Sequence, residues 1–504
     1  MNILTHNRAE QRMPPAIRVD SRDDVAVALR PLEAGEEIGV AESNITLRDA
    51  IAYGHKFAIR ELAEGDPVRK LGWPIGEATR PIRTGEHVHT HNVKTLLEGV
   101  EDYRFEPQPE AQLPRSDAQF LGYPRADGRV GTRNEIWILP TVGCVARTSE
   151  RIANQANARR PEGIDGVYAF AHPHGCSQLG DDLGGTRAIL AALACHPNAG
   201  GVLLVGLGCE SNQLDALMKL VPEELQGRVR TLRAQSEEDE TEAGLALVDE
   251  LIEQASKATR ERVPFSELVL GLKCGGSDGF SGLTANPLVG RMCDVVVGSG
   301  GSAILTEIPE IFGAERLLMA RAKDHETFEH VVAVTNDFKR YFLEHGQPVS
   351  ENPSPGNIAG GITTLEEKSL GAVQKAGAAP VSDVVRYGQR VRRKGLNLLE
   401  APGNDAVSST ALAAAGATII LFTTGRGTPL GFPVPTVKIA SNSELAARKK
   451  NWIDFDAGSV LSDGFDDAAD ELLETITQIA SGKSTASERN GEREIAIWKR
   501  GVTL

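Results

Sequence analysis

From Gly122 onwards, apolar runs that end in short loops of small and polar residues recur along the chain, and a helical pattern usually follows them. The runs are EIWILPTVGC, GVYAFAHPHGC, GVLLVGLGCES, ELVLGLKCGGSDG, DVVVGSGGS, LNLLEAPGND and TIILFTTGRGTP. Nearly continuous apolar strands are typical of a parallel sheet that is covered on both faces. The pattern therefore predicts α/β domains with largely parallel sheets.

The domain organisation follows from length and from shifts in composition. A chain of 504 residues predicts about three domains. Residues 1–100 contain short β segments broken by turns, and residues 101–121 form a proline-rich, acidic linker. Residues 122–260 then form a central α/β domain and residues 261–504 a C-terminal, Rossmann-like α/β domain. We expect a mostly β module followed by two α/β domains, with no internal repeat.

A helix within residues 236–262 is expected to join the two α/β domains. Ser236 and Asp239 resemble a capping box at its start. Leu245, Val248 and Ala255 then fall at helical spacing. These positions predict an ordinary helix that faces the core.

Composition argues against several function classes. Lys and Arg total 54 against 69 Asp and Glu, a formal net charge of −15, and no basic run is interleaved with aromatic residues. Nucleic acid and anionic membranes are therefore poor candidate partners. No apolar stretch has the length of a membrane span, and MNILTHNRAEQR lacks the apolar core of a signal peptide. Six cysteines without a C-x-x-C pair predict reduced thiols, and we expect a soluble, cytoplasmic protein.

Two glycine motifs give little support for nucleotide binding. Gly298, Gly300 and Ala303 match a relaxed G-x-G-x-x-A after the expected strand DVVV, but the segment that follows contains Pro309. GKST at 482–485 resembles the end of a phosphate-binding loop, although Thr477 occupies the place of its first glycine. A nicotinamide-dependent oxidoreductase therefore remains a weak alternative, and a nucleotide hydrolase is not expected.

The stretch GEHVHTHN concentrates three imidazoles. His87, His89 and His91 alternate just before Asn92, so in a β-strand all three rings would leave by the same face. Imidazole is the commonest protein ligand for metals. The alternative is an exposed strand end with solvated side chains, and the pattern alone does not decide between the two.

Four cysteines fall in loops that follow predicted strands, where α/β proteins bind their ligands. They are Cys144, Cys176, Cys209 and Cys274, whereas Cys195 and Cys293 lie elsewhere. A single free cysteine is usually a small buried apolar residue. These four have chemically active neighbours, namely His172, His174, Glu210, Ser277 and Asp278. The combination favours a metal pocket, and HPHGC also allows a Cys–His nucleophile pair.

The chain resembles the altronate/galactarate dehydratase family along nearly its whole length. The resemblance rests on GHKFAIRELAEGDPV, GEHVHTHN, DGRVGTRNE, GCSQLGDD, GLGCESNQ, CGGSDGFSGLTANP, ENPSPGNIAGGITTLEEKSLG and TTGRGTP. It implies a hydro-lyase that converts D-altronate to 2-dehydro-3-deoxy-D-gluconate and water in hexuronate catabolism and depends on Fe(II) or Mn(II). It also implies that the first module is a β-clip-like SAF domain.

The resemblance implies roles for individual residues. His172 is the candidate base or acid, Cys176 a further catalytic residue and Asp278 an acid–base or orienting group. Lys56 or Arg426 would bind the substrate carboxylate, and the sugar-acid end of the pocket would be lined by His87, His89, Asn92 and Ser277. The candidate metal ligands are His55, Cys144, Cys209, Glu210 and Cys274. Two arrangements of iron stay open: a mononuclear site with His and carboxylate ligands, or an iron–sulfur centre held by strand-end cysteines.

The exact substrate also stays open. His174 stands where an aromatic residue is common in the family, and Leu183 stands where a histidine is common. Galactarate or a sulfonated hydroxyacid is an alternative substrate, and a non-catalytic sugar-acid-binding protein is an alternative class because SAF modules also occur in binding proteins. The expected partner is a small-molecule sugar acid, and a homodimer is allowed.

Overall fold

The computed structural model describes residues 14–41 and 43–503. Residues 1–13, where no signal peptide is expected, lie outside this range. Within it, no helix combines the length and the apolar character that crossing a membrane requires.

The N-terminal module consists of short antiparallel strands. Its main sheet has the order β1-β2-β5-β8, β3 and β4 form a hairpin, and a third sheet has the order β6-β7-β9. The strands are β1 (Ala16–Ile17), β2 (Val25–Ala28), β3 (Glu37–Val40), β4 (Ser43–Thr46), β5 (Lys56–Ala58), β6 (Pro67–Lys70), β7 (Trp73–Ala78), β8 (His87–Val88) and β9 (Val93–Lys94). This module agrees with the predicted β region.

A turn repeats three times in this module, which corrects the expectation that the chain has no repeat. RPLEAGE (30–36), RELAEGD (60–66) and RPIRTGE (80–86) share an arginine, an aliphatic residue, a glycine and an acid at equivalent positions. In each copy the final carboxylate accepts a hydrogen bond from the backbone N–H three residues earlier, at 2.9–3.1 Å. The third copy leads directly into His87, so the repeat sets where the histidines begin.

Residues 101–118, which fall within the predicted linker, contain neither helix nor strand, and they are docked. Tyr103, Phe105 and Leu113 pack against the apolar core of the C-terminal domain. The hydroxyl of Tyr103 donates to Glu315 at 2.5 Å. The segment therefore adds contacts between the N-terminal module and the rest of the chain.

The central domain is a four-stranded parallel sheet with the order β13-β12-β14-β15. A small antiparallel sheet, β11-β10-β16, flanks it in sequence. The elements are β10 (Gln119–Pro124), β11 (Val130–Gly131), β12 (Glu135–Pro140), α1 (Ala146–Ala158), β13 (Gly166–Ala169), α2 (Gly180–Ala194), β14 (Ala199–Gly206), α3 (Leu214–Met218), α4 (Glu223–Gln226), β15 (Val229–Arg233), α5 (Glu240–Ala255) and β16 (Glu261–Pro264).

The helix α5 differs in two ways from the expected connector. Its N-cap is Asp239, whose carboxylate accepts from the N–H groups of Thr241 and Glu242, and Ser236 lies in a preceding one-turn 3₁₀ helix. The predicted capping box at Ser236 is therefore wrong. Leu245, Val248 and other apolar residues of α5 join α1 and the central sheet in one apolar cluster, so α5 is a layer of the central domain.

The C-terminal domain is built on a seven-stranded parallel sheet with the order β19-β20-β18-β17-β21-β22-β23. The elements are β17 (Val269–Cys274), α6 (Ala285–Gly298), β18 (Ser302–Leu305), α7 (Glu315–Met319), α8 (His325–Glu344), α9 (Pro355–Ala359), α10 (Leu365–Ala372), β19 (Val381–Val385), β20 (Gly395–Leu399), α11 (Asp405–Ala415), β21 (Ile419–Thr424), β22 (Thr436–Ala440), α12 (Ser443–Arg448), β23 (Phe455–Asp456), α13 (Val460–Asp463), α14 (Phe465–Ala480) and α15 (Ala486–Asn490). The predicted fold class, a β module followed by α/β domains with parallel sheets, is confirmed.

One predicted strand is wrong. DVVVGSGGS begins inside α6, and the strand β18 starts only at Ser302. Val289, Met292 and Val296 are buried at helical spacing, so packing outweighs the preference of the valine run for a strand. Gly298 therefore ends a helix, and the relaxed glycine motif lacks the strand–turn–helix context of a dinucleotide site.

Candidate functional site

The order of the C-terminal sheet defines a switch point. The chain builds β18, β20 and β19 on one side of β17 and later adds β21 on the other side. Ligands of open α/β sheets bind where this reversal occurs, at the carboxyl ends of the strands. The loops in question meet directly, because the N–H groups of Gly425 and Arg426 after β21 both donate to the carbonyl of Gly276 after β17, at 3.0 Å.

Asp278 ties these loops together. Its carboxylate accepts from the hydroxyl of Ser281 at 2.9 Å, the hydroxyl of Ser441 at 2.8 Å and the amide of Asn442 at 3.0 Å. Burial raises the pKa of Asp278, while these hydrogen bonds oppose the increase. A Cβ at Gly425 would lie 2.2 Å from the carboxyl carbon of Asp278, so only glycine fits there.

A cavity of about 350 Å³ opens beside this carboxylate, between the N-terminal module and the C-terminal domain. Tyr53 lines it from the module, and Gly360, Arg426 and Arg448 line it from the other side. Burial, followed by the charge of Asp278, raises the pKa of Tyr53 to about 12, so its hydroxyl keeps its proton at neutral pH. Arg426 is exposed and has no carboxylate partner among the described residues.

Four imidazoles of the N-terminal module form a cluster, and one of them, His55, contacts a residue that lines the cavity. Nδ1 of His55 is 3.1 Å from Nε2 of His87, and His89 and His91 pack within 5.5 Å of the His87 ring, centroid to centroid. Nε2 of His55 lies 3.4 Å from the carbonyl oxygen of Ala359, one of the residues that line the cavity. GEHVHTHN therefore contributes to a shared cluster.

The imidazoles of His55, His87 and His89 are neutral at physiological pH. Burial, followed by the neighbouring imidazoles, lowers the pKa of His87 to about 4. Burial and the ammonium of Lys56 lower the pKa of His89 to about 3, and burial also lowers the pKa of His55. Neutral imidazoles can accept protons or bind metals.

The geometry of the trio differs from the expected strand. Only His87 lies in a strand, since β8 ends at Val88. A tight turn follows, in which the N–H of His89 donates to Asn92 and the amide of Asn92 donates to the carbonyl of His87. Asn92 is fully buried and its side chain is satisfied within this turn, so the structure favours a role in shaping the turn.

Lys56 joins the module to the C-terminal domain. Its ammonium donates to the carbonyl of Gly361 at 3.1 Å, to the hydroxyl of Thr363 and to Glu367 at 2.8 Å, and Lys70 donates to the other oxygen of Glu367. Burial lowers the pKa of Lys56 to about 8. Burial would raise the pKa of Glu367, but the two ammonium groups outweigh it and hold that pKa well below its usual range.

A buried group of possible metal ligands lies behind Ser277 and Asp278. Cys274, at the end of β17, has its sulfur 3.3 Å from Glu310 and 3.6 Å from Glu307, and the three ligand atoms lie within 4.8 Å of one another. Burial raises the pKa of Cys274 to about 12, so its thiol is protonated in this arrangement. Thiolate and carboxylate ligands suit iron.

Three lysines supply the charge that balances this group. Lys375 lies 2.7 Å from the sulfur of Cys274, Lys273 donates to Glu307, and Lys368 donates to Glu310 at 2.8 Å. The donor set therefore fits a divalent metal, but a metal ion would have to compete with these ammonium groups.

The remaining predicted residues lie in the central domain. Cys144, Cys176 and Cys209 are exposed there, away from the contacts of Cys274. Nε2 of His172 lies 2.8 Å from the carbonyl of Pro140, and its Nδ1 accepts from the N–H of His174. The carboxylate of Glu210 accepts from the hydroxyl of Thr141 and from two loop N–H groups.

Comparison with known proteins shows which family the chain belongs to. A family model described as altronate/galactarate dehydratase SAF domain matches residues 14–96. D-galactarate dehydratase/altronate hydrolase, second domain, matches residues 122–256, and D-galactarate/altronate dehydratase, C-terminal, matches residues 265–503. The chain belongs to the altronate/galactarate dehydratase family.

Its curated relatives in this family span the same length. The chain is 51% identical to the altronate dehydratase of Escherichia coli K12, over 97% of this chain and 99% of the relative. It is 49% identical to the altronate dehydratase of Bacillus subtilis 168, over 98% and 100%. The galactarate dehydratase (L-threo-forming) of Escherichia coli K12 is 32% identical, over 97% and 98%. The chain is accordingly an enzyme of the lyase class.

Within this family fold, the predicted site residues divide into three places. His55, Lys56, His87 and His89 belong to the module, beside a cavity that Asp278 and Arg426 line. Cys274 belongs to the buried thiol–carboxylate group, and His172, Cys144, Cys176, Cys209 and Glu210 belong to the central domain. Both ring nitrogens of His172 are engaged by backbone groups, which favours a structural role over acid–base chemistry.

Sequence reasoning missed several residues of the site. Tyr53 directly precedes the Gly-His-Lys stretch, and Glu367 lies within ITTLEEKSLG, so both were near quoted motifs. Glu307 and Glu310 had no comparable signal. They follow β18, a strand that the sequence pattern had placed too early, at DVVV. Their proximity to Cys274 depends on the order of the strands in the sheet.

Proposed function

We propose that the protein dehydrates D-altronate to 2-dehydro-3-deoxy-D-gluconate in the crevice between the N-terminal module and the C-terminal domain. The observation that carries the proposal is the neutral imidazole of His55, which is held by His87 and contacts Ala359 in the lining of a cavity that the unpaired cation Arg426 also lines. Relatives near 50% identity that carry the name altronate dehydratase support the choice of substrate. The reaction then belongs to hexuronate catabolism in the cytoplasm.

Arg426 is the residue that binds the substrate carboxylate. A guanidinium offers paired N–H donors that match a carboxylate. Lys56, the other predicted candidate, already donates to three acceptors in a buried site. A free cation in the cavity is the better partner for an incoming anion, so Lys56 takes a positioning role.

His55 removes the proton from C2. With its proton on Nδ1, His55 donates to Nε2 of His87, and this hydrogen bond fixes the ring orientation. Nε2 is then the proton acceptor, since its 3.4 Å contact with the carbonyl of Ala359 is longer than the 2.8 Å contact of His172, and its depressed pKa keeps it unprotonated. Loss of this proton leaves an enediolate on the substrate carboxylate, which can be reprotonated at C2, and its electron pair then forms the C2–C3 double bond as the C3–O bond breaks. This assignment replaces His172 as the candidate base.

Tyr53 supplies a proton to the departing C3 hydroxyl, which leaves as water. Its hydroxyl lines the cavity and stays protonated because its pKa is raised to about 12. The enol that remains loses the proton of its C2 hydroxyl to solvent, takes a proton from solvent at C3 and becomes the 2-keto product. His55 returns the C2 proton to solvent, and Tyr53 is reprotonated from solvent.

Fe(II) or Mn(II) is the proposed cofactor, with Cys274, Glu307 and Glu310 as the residues that would hold it. A bound divalent ion supplies Lewis-acid stabilisation of negative charge. Asp278 and Lys368 line a small gap in common, and Asp278 also lines the substrate cavity while Lys368 donates to Glu310.

The test is a substrate panel with anaerobically purified protein supplied with ferrous iron. We expect D-altronate to give 2-dehydro-3-deoxy-D-gluconate, identified by NMR, with one solvent deuteron at C3 when the reaction runs in D₂O. Galactarate and sulfolactate should react far more slowly. Binding of D-altronate without turnover would instead support a sugar-acid-binding protein, and preferential turnover of galactarate would reassign the substrate.

A further inference from the structure

Three thiols of the central domain take no part in the proposed dehydration site. Cys144, Cys176 and Cys209 follow β12, β13 and β14, which are neighbours in the sheet order β13-β12-β14. All three are exposed, whereas the other three cysteines of the chain are buried. Parallel strands present their carboxyl ends at one edge, so the three thiols share the ligand-binding edge of this sheet.

Hydrogen bonds hold the three loops against one another. The N–H of Gly143, next to Cys144, donates to the carbonyl of His174 at 2.9 Å. The N–H of Asn212, in the loop of Cys209, donates to the carbonyl of Gly175 at 2.9 Å. Each loop that carries a thiol is thus fixed to the loop that carries Cys176.

The backbone around these thiols favours negative charge. Cys144 lies in a one-turn 3₁₀ helix that leads into α1, a helix of 13 residues without an acid in its first turn. Gly175 and Ser177 flank Cys176 with φ of +104° and +55°. Such alternation turns successive N–H groups towards one side, and concavities of this kind bind phosphates and iron–sulfur centres.

The spacing of the thiols argues against a single metal ion. A Zn–S bond is about 2.3 Å, so two thiolates on one ion are at most about 4.6 Å apart. In the part of the chain that the structure describes, the group of ligand atoms within 4.8 Å of one another is Cys274 with Glu307 and Glu310, and the three exposed thiols are more widely spaced. A polynuclear cluster spans a wider set of sulfur ligands.

We propose that Cys144, Cys176 and Cys209 ligate a [4Fe–4S] cluster on the central domain, with the fourth iron free of a cysteine ligand. The three thiols lose their protons on binding, and their exposure gives iron and sulfide access from solvent. This site is separate from the thiol–carboxylate group at Cys274, so it stands whether or not the proposed dehydration is correct.

The test begins with the full chain purified without oxygen and reconstituted with equal amounts of ferrous and ferric iron and with sulfide, which match the oxidation level of a [4Fe–4S] cluster before reduction. After desalting, we expect about four iron and about four sulfide per chain, the broad visible absorption of sulfide-bound iron, and an electron paramagnetic resonance signal after reduction with dithionite. Zinc or iron bound without sulfide would overturn the proposal. So would three freely reactive thiols that persist after reconstitution.

Single variants assign the ligands. Cys144→Ser, Cys176→Ser and Cys209→Ser each alter an exposed side chain, so each should fold with an unchanged circular dichroism spectrum and lose most of the bound sulfide. Cys195→Ala, in the same domain but buried, is the matched control and should keep the cluster. Cys274→Ala should also keep its sulfide, which separates this proposal from the metal site of the proposed function. Retention of full sulfide in the three serine variants would overturn the assignment.

Discussion

The ammonium of Lys56 lies 2.8 Å from a carboxylate oxygen of Glu367, and both side chains are almost completely buried. Because Lys56 belongs to β5 and Glu367 to α10, this ion pair fixes the N-terminal module against the domain that carries Asp278 and Arg426. Lys70 adds a second ammonium to the same carboxylate. The orientation of the imidazole cluster over the C-terminal domain therefore depends on one buried acid.

Replacing Glu367 tests this dependence. Glu367→Gln leaves two buried ammonium groups without a counter-charge, and removal of one partner from a buried pair costs about 3–5 kcal/mol. We expect a clear fall in the thermal unfolding midpoint and faster proteolysis between the module and the central domain. Glu77→Gln is the control, because its ion pair with Lys94 lies at the surface, where water and salt weaken it, and should contribute little to stability. Equal effects of the two variants would contradict the role of Glu367.

The pH dependence of stability should report the imidazole cluster. The pKa values of His87 and His89 are about 4 and about 3 in the folded chain, below the ordinary value of 6.5. The unfolded chain therefore binds protons first as the pH falls below 6.5, and stability falls with pH in the window from 6.5 to about 4. Above 6.5 these groups contribute no pH dependence.

His89→Gln should flatten this part of the curve, measured as the unfolding midpoint between pH 7 and pH 4. Leu343→Gln, at an exposed position of α8, should leave the slope unchanged, because it neither adds nor removes an ionisable group. Identical slopes for the wild type and His89→Gln would mean that folding does not lower the pKa of His89.

Arg426→Ala tests the proposed carboxylate contact. A charge-assisted hydrogen bond contributes about 1.5–3 kcal/mol, so kcat/KM for D-altronate should fall by about 10-fold to 100-fold, mainly through KM. Arg448→Ala should have a smaller effect, because Arg448 lines the same cavity but already lies 3.8 Å from Glu444. Steady-state kinetics of both variants decide the point, and a larger loss for Arg448→Ala would reverse the assignment.

Much of the fold was predictable from local pattern. The strands β12, β14, β17 and β21 lie where apolar runs end in glycine-containing loops, because a buried parallel strand needs apolar side chains on both faces. The strand predicted at DVVV was wrong. Val296 is buried as part of a helix because of tertiary packing, which the local preference of valine for strands does not take into account. The threefold turn was overlooked because only a few positions recur while the residues between them vary.

The site was only partly predictable. GEHVHTHN and the Gly-His-Lys stretch identified the imidazoles and Lys56. The carboxylates that surround Cys274 and Lys56 come from segments remote in sequence, and only the strand order places them. His172 shows a different limit of the residue pattern. A histidine beside a cysteine satisfies the pattern, but the contacts of both its nitrogens with the backbone depend on the fold, and its catalytic role stays a prediction.

Metal removal should abolish activity if Cys274 contributes a ligand. Exhaustive chelation should give protein without turnover, and Fe(II) or Mn(II) should restore it. Cys274→Ala should lose activity and the iron of the Cys274 site, which is measured as iron in excess of sulfide. The reason is that alanine cannot form a metal–sulfur bond. Cys293→Ala is the control, since Cys293 is equally buried in the same domain. Full turnover of protein in which no metal is detected would exclude the metal requirement.

The assignment of the base is tested by comparing His55 with His172. His55→Gln keeps a side chain that can hydrogen-bond but removes the group that accepts the C2 proton, and loss of general-base catalysis typically lowers the rate by 10²–10⁴-fold. We expect kcat to fall by about that factor with little change in KM, and exchange of the C2 hydrogen with solvent to stop.

His172→Gln removes hydrogen bonds to Pro140 and His174, so it should lower the unfolding midpoint while kcat of the folded fraction stays within a few-fold of the wild type. Exchange at C2, followed by NMR, separates the two roles, because a structural residue does not control exchange in the protein that remains folded. If His172→Gln abolishes exchange and His55→Gln does not, the base lies in the central domain and the crevice beside Arg426 is not the site of proton transfer.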